Sequence, residues 1–345
     1  MSPFLRRIRE EVPGEFLAAL VVATVFAVLL VLDQMYWWQL KPEYMFGWLV
    51  PFFVGFVVMD RWPKITAALR SGGVSPLPVG LRRLIALGFG VAMAVGAVCF
   101  LLGALYHAGS GVTQPGSLAL AIGFAGMMLG MLYFAAPQGC VGEGPAPTGW
   151  RAFGADARLR VVSLFVFPAL IWMLSAPLVS AVENQLSLFL LRKVVAVVSF
   201  VFNVLGFPLI QEGSTLVLPG DDRVGVEDAC SGIRSLTACL FTGAFLAAVF
   251  LDRWWKKIAL IGAALALAVV TNLLRSLFLT AWAYSHGSAS ISGTFHDATG
   301  YAVLGLTFVG LLCLLPLFNG ANWWRWLAPR GAKSAAAVST KPEER

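Results

Sequence analysis

Apolar residues run along this chain in long stretches, near 15–34, 44–60, 84–106, 116–136, 160–180, 232–251, 257–281 and 298–318. A helix needs about 20 mostly apolar residues to cross the hydrocarbon of a bilayer, and these eight runs meet that length or approach it. The second is short and carries Pro51. The first follows Arg6, Arg7 and Arg9, but it is long and lacks a small-residue cleavage site, so it reads as a retained helix and not a removable signal peptide. The pattern predicts an all-α polytopic membrane protein with about eight transmembrane helices. It also predicts one transmembrane domain over 1–325, and a disordered cytoplasmic tail, rich in Ala, Lys and Glu, over 326–345.

The connection from about 181 to 231 differs from the rest. In Glu183–Leu205 the polar residues Gln185, Arg192, Ser199 and Asn203 fall on one helical face. The uninterrupted apolar part, Val194–Phe202, is too short to span, which predicts a helix lying along the outer interface. Next come two strand-like runs, Ser214–Leu218 and Arg223–Val226, around Pro219-Gly220-Asp221-Asp222, a pattern that predicts a small hairpin before the sixth long run.

Composition agrees with the pattern. Of 345 residues 59% are hydrophobic and only 12% charged, with a mean hydropathy of +0.80, whereas a soluble domain is about 45–50% apolar and about 25% charged. An ordinary soluble enzyme, a disordered chain and a nucleic-acid-binding domain are thereby excluded. The net charge of +7 has a topological explanation. Nineteen of the 25 Lys and Arg residues lie before the first run or on alternate connections, from Arg6 through Arg61, Arg151 and Arg253 to the tail. The opposite set holds only Lys41, Arg192, Lys193, Arg223, Arg234 and Arg275. Cytoplasmic loops carry the excess of basic residues, so both termini are expected to be cytoplasmic. The five cysteines form no CxxC and no His-Cys metal spacing. The Gly- and Pro-rich stretches Ser71–Gly80 and Gly139–Gly149 lack phosphate-binding spacing. No metal and no cofactor is expected.

Polar side chains that must enter lipid are expensive, and those that do so are functional suspects. Three stand out, all on the expected outer side. Cys230 lies in Glu227-Asp228-Ala229-Cys230-Ser231-Gly232-Ile233-Arg234, where the sixth helix is expected to begin with Asp228 as N-cap. A thiol in a first helical turn meets unpaired amides and the helix dipole, which favour the thiolate. Arg234, one turn on, adds positive charge, while Glu227 and Asp228 oppose it. A buried small hydrophobe is an equal reading of Cys230 at this point. Arg275, in Asn272-Leu273-Leu274-Arg275, sits deep in an apolar helix, where it needs either headgroup water or an anionic partner. Asn272, one turn below, reads as an internal hydrogen-bonding group. His296, in Phe295-His296-Asp297, opens the eighth run, with Asp297 a candidate cap. His107 and His286 are also expected in external loops, and position does not choose among the three. A thiol, a guanidinium and an imidazole on one face outline acyl transfer: attack on a carbonyl, proton movement and oxyanion binding.

In order and spacing, Ala229-Cys230-Ser231-Gly232-Ile233-Arg234, Asn272-Leu273-Leu274-Arg275 and Phe295-His296-Asp297 resemble the three motifs of the exosortase/archaeosortase family, with His296 pointing to the bacterial exosortase branch. The motif-bearing resemblance covers about 181–306. It implies a sortase-like cysteine peptidase or transpeptidase of the bacterial inner membrane, with its site on the outer side. Its clients would be secreted proteins that end in a short motif of Pro-Glu-Pro type, a transmembrane helix and a basic cluster, in bacteria that make exopolysaccharide. The resemblance also implies roles: Cys230 as nucleophile, Arg275 as transition-state stabiliser and His296 as general acid or base. Arg234, Asn272, Glu227 and Asp297 would support them. Membrane lipids are further expected partners, and an amine-bearing lipid or water the acceptor. The residues alone leave other classes open: a polytopic transporter or flippase with Asn272 and Arg275 along a substrate path, or a non-catalytic assembly protein for exopolysaccharide export.

Overall fold

The structure, a computed structural model, describes residues 12–142, 147–213, 215–219, 223–225 and 232–319. The expected tail over 326–345 lies outside the described residues. The helices are α1 (Gly14–Leu40), a 3-10 helix (Pro42–Leu49) running into α2 (Val50–Leu69), α3 (Val79–Ser110), α4 (Gln114–Ala135), α5 (Trp150–Ala155), α6 (Ala157–Ser175) and α7 (Ser180–Val204). Three short strands follow, β1 (Ile210–Glu212), β2 (Thr215–Val217) and β3 (Arg223–Gly225), and then α8 (Ile233–Phe250), α9 (Trp254–His286) and α10 (Thr294–Asn319). The architecture is all-α and polytopic, as expected. Among the described residues nine helices, not eight, are long and apolar enough to cross a membrane. The addition is α7. Arg192 and Lys193 interrupt its apolar run, but its 25 residues make a rod of about 37 Å at about 1.5 Å per residue, so the expectation that this segment is too short to span is corrected. The chain divides into two compact units, 1–185 and 186–345.

In the first unit α3 and α4 pack backbone to backbone. A Cβ on Gly96 would lie 2.8 Å from the Gly123 carbonyl oxygen, and one on Gly123 would lie 2.6 Å from that of Gly96. Gly103, Gly126 and Gly130 make similar approaches. Between helices in lipid there is no hydrophobic drive, and small residues that permit such contact supply the packing energy.

One end of this unit holds a buried polar network. Asp33 and Gln34, and Trp37 and Trp38, project from the last turns of α1, and Lys41 directly follows it. Asp33 pairs with His107 Nδ1 at 3.0 Å, and Trp37 Nε1 donates to Ser117 Oγ at 2.8 Å. Ser175 Oγ donates to the Gln34 side-chain oxygen and Trp38 Nε1 to the Ser175 carbonyl. Lys41 Nζ meets Glu183 at 2.6 Å, and Gln114 donates to the same carboxylate oxygen. Each partner is needed because polar groups in hydrocarbon find no water. His107 therefore does not lie in a loop. It is in the last turn of α3, which Gly111 ends at φ 76°, and it leans on α4 where Gly116 has no side chain.

The second unit is built on the expected hairpin. β2 and β3 pair antiparallel, with Leu216 opposite Val224, and β1 adds a third strand with Gln211 opposite Leu216. That strand was not foreseen, since three residues carry no readable alternation. The sheet buries Leu216, Leu218 and Val224 against Leu191, Val195 and Val198 of α7 and Leu279 and Ala283 of α9. α9 reaches this core because its 33 residues extend about 50 Å, beyond the ~30 Å hydrocarbon. It runs past the expected 281 to His286, which is helical and stacks on Trp282 at 4.3 Å.

Gly123→Leu should therefore lower stability by about 1–3 kcal/mol through overpacking. Gly88→Leu on α3, where a Cβ meets nothing within 4 Å, should be tolerated. Thermal unfolding of the two variants in detergent checks this.

Candidate active site

α9 carries the central part of the candidate site. Asn272 and Arg275 are three residues apart, so both project from one side of the helix. Thr271, beside Asn272, is pinned to Thr307 of α10 by a 2.9 Å hydroxyl contact, which fixes the rotation of α9 against α10. Asn272 is buried, and its side chain lies against Gly232, the residue ahead of α8. A Cβ on Gly232 would stand 2.9 Å from Asn272 Nδ2 and 3.2 Å from its Cγ. Gly232 also has φ 71° and ψ −6°, a left-handed conformation that glycine adopts without strain. Its carbonyl accepts the first helical bond, from Leu236 N–H, at 2.8 Å. Asn272 is thus an internal polar group, as expected, and it abuts the chain two residues from Cys230.

Arg275 meets the third motif. Its Nη2 donates to His296 Nε2 at 2.8 Å and to the His296 carbonyl oxygen at 3.1 Å. A guanidinium has no acceptor atom, so His296 accepts at Nε2. Its imidazole is then neutral, with the proton on Nδ1. The two contacts come from one nitrogen, and the guanidinium rests over Gly300, whose Cβ would lie 3.3 Å from Nη2 and 3.5 Å from Cζ. Both Arg275 and His296 are half-buried. Phe295 stacks on Trp282 at 5.3 Å and Phe278 at 6.3 Å, a wall that holds the start of α10 to α9.

The structure thus brings Arg275 to His296 and Asn272 to Gly232. Cys230, Glu227 and Asp228 lie outside the described residues; α8 starts at Ile233 with Gly232 as its N-cap, so the expectation that this helix begins with Asp228 as cap and Cys230 in its first turn is corrected. Arg234 is in the first turn of α8 and exposed. Asp297 is not the cap of α10. That helix begins at Thr294 after Gly293, at φ 64°, and the Asp297 N–H bonds the Gly293 carbonyl at 3.2 Å. Asp297 sits instead in the first turn, exposed, where its charge complements the helix dipole. A half-open, shallow apolar notch lies between α7, α8 and α9, lined by Leu190, Val194, Gly232, Leu236, Ala268 and Asn272. Among the described residues no three His, Cys, Asp or Glu side chains gather as metal ligands.

Sequence reasoning missed the two glycines. Gly232 and Gly300 each accept a polar side chain of α9 on a surface without Cβ, and a glycine gives no sign of its partner until the helices are placed. Gly232→Ala should lower the unfolding temperature and weaken any activity that depends on the preceding segment. It adds both left-handed strain, about 1–2 kcal/mol, and a clash with Asn272; unchanged unfolding would contradict the geometry.

A family model described as "Transmembrane exosortase" matches residues 37–313. Neither the curated proteins nor the solved structures contain a match.

Proposed function

Because the chain belongs to the transmembrane exosortase family, a family of membrane cysteine peptidases, we propose that it cleaves the C-terminal sorting signal of secreted proteins through a thioester on Cys230. The observation that carries this reading is the reach of a single helix. α9 sets Asn272 against Gly232, two residues from Cys230, and sets Arg275 on His296.

In the proposed reaction the client's terminal helix lies beside the bundle and leaves its motif at the membrane surface. Cys230 Sγ attacks the scissile carbonyl carbon as its thiol proton passes to His296 Nε2, and the carbonyl oxygen becomes an oxyanion stabilised by the guanidinium of Arg275. The C–N bond then breaks, His296 delivers a proton to the leaving amine, and a thioester remains. An amine-bearing lipid or water then attacks the thioester, giving its proton to His296; the C–S bond breaks, and His296 returns that proton to the sulfur as the thiol. The resting contact adds a constraint. Nε2 of His296 is occupied by Arg275, so its lone pair is available only when the guanidinium shifts toward the substrate oxygen. Oxyanion binding and release of the base would be one movement, which ties activation to a correctly seated substrate.

The charge pattern supports a site on the outer face of a bacterial inner membrane with both termini cytoplasmic. Arg253, Lys256, Lys257 and the basic tail share a side with the first three basic clusters only if α7 does not cross. Although α7 is long and apolar enough to cross, we therefore place it at the outer interface. Its buried face is Leu191, Val195 and Val198, while Phe189, Val197 and Phe200 are exposed and suited to lipid.

Cys230→Ala should leave the protein folded and reduce client processing by at least about a thousandfold; normal processing would remove the mechanism. Arg275→Lys should cost about a hundredfold or more, since an ammonium lacks the planar fork. His296→Ala should likewise fail, by about a hundredfold or more, while His286→Ala stays active. His107→Ala should lower the unfolding temperature, because it orphans the buried Asp33, yet leave the chemistry of the folded fraction intact. Client cleavage in membranes, read by gel shift, separates these outcomes.

A further inference from the structure

We infer that Gly300 is a positioning residue, a surface without a side chain on which the guanidinium of Arg275 is set for its work; the inference deepens the function proposed above and rests on it. Gly300 lies one turn after His296 in the interior of α10. Its backbone is ordinary helix, since it is absent from the positive-φ glycines, so no conformational need explains a glycine here. On helix propensity alone alanine is the better residue at such a position. What glycine supplies is room. A Cβ would stand 3.3 Å from Nη2, 3.5 Å from Cζ and 3.7 Å from Nη1 of Arg275, so the plane of the guanidinium lies across the position. An arginine end can swing aside when it is free, but Nη2 is already committed to both the ring and the carbonyl of His296. A methyl group at 300 must therefore move the guanidinium by a few tenths of an ångström or break one of those contacts. In either case the resting position from which Arg275 shifts toward the substrate oxygen is displaced.

Gly305, farther along the same helix, serves as an internal control, because a Cβ there meets nothing within 4 Å. Helix propensity predicts that Gly305→Ala and Gly300→Ala both raise stability and leave function alone. The cradle predicts that they part. Gly305→Ala should raise the unfolding temperature in detergent by about 2 °C and process the client normally. Gly300→Ala should gain less stability and lose about tenfold in kcat with little change in KM, as expected when a transition-state group is misplaced by a fraction of an ångström.

The coupling is read separately from catalysis. In an Arg275→Ala background Gly300→Ala should recover the full stability gain of Gly305→Ala, since nothing remains for the Cβ to press on. Equal gains for the two glycine variants in the wild-type background, or an unchanged kcat in folded Gly300→Ala, would overturn the inference. If Arg275→Lys retained full processing, the proposed function would fall, while the stability coupling would still report whether the cradle exists.

Discussion

A guanidinium cannot rest in hydrocarbon without partners, and in this protein that constraint organises the second unit. Arg275 stands well along an apolar helix, and the start of α10 supplies an imidazole and a carbonyl to receive it. To deliver them, α10 must begin at Thr294 and lie close enough to α9 for Thr271 and Thr307 to touch. Gly300 must leave the guanidinium space. The same helix, one turn earlier, buries an amide against Gly232. Two polar residues on one face of α9 thus set the position of the helix before it in sequence and of the one after it.

The contact between Arg275 and His296 also bears on how such a site would stay quiet. A peptidase nucleophile at a membrane surface meets many carbonyl groups that are not its substrate. A base whose lone pair is occupied by a cation is not a base, and it becomes one only when a better acceptor draws that cation away. The developing oxyanion of a seated substrate is such an acceptor. Selectivity would then come from coupling two steps as well as from the fit of a pocket.

The first unit shows a different use of buried polarity. Its network joins the end of α1 to four other helices through Asp33, Gln34, Trp37, Trp38 and Lys41, while glycines hold α3 against α4. Polar residues on several helices are also what a transport path would show. Here they are engaged with one another, carboxylate to imidazole and carboxylate to ammonium, which is the pattern of an interhelical fastening.

Apolar run length was enough to establish an all-α membrane protein, because spanning lipid demands helices of a given length whatever their neighbours do. Turn chemistry around Pro219 was enough for the hairpin, and the order of the three motifs was enough to name the family that residues 37–313 match. Local signals failed where an element's fate depends on distant packing. α7 was legible as a helix, but Arg192 and Lys193 within its apolar run hid that it is long and apolar enough to span. β1 is too short to carry a period, and it exists because β2 offers it an edge. His107 and His286 looked like loop residues because the ends of their helices are set by Gly111, four residues after His107, and by Gly287, directly after His286. The pairing of Arg275 with His296, and the purpose of Gly232 and Gly300, belong to the tertiary structure alone. Residues 21 or 25 positions apart acquire a relation only when two helices pack, and a missing side chain has meaning only when something else fills its place.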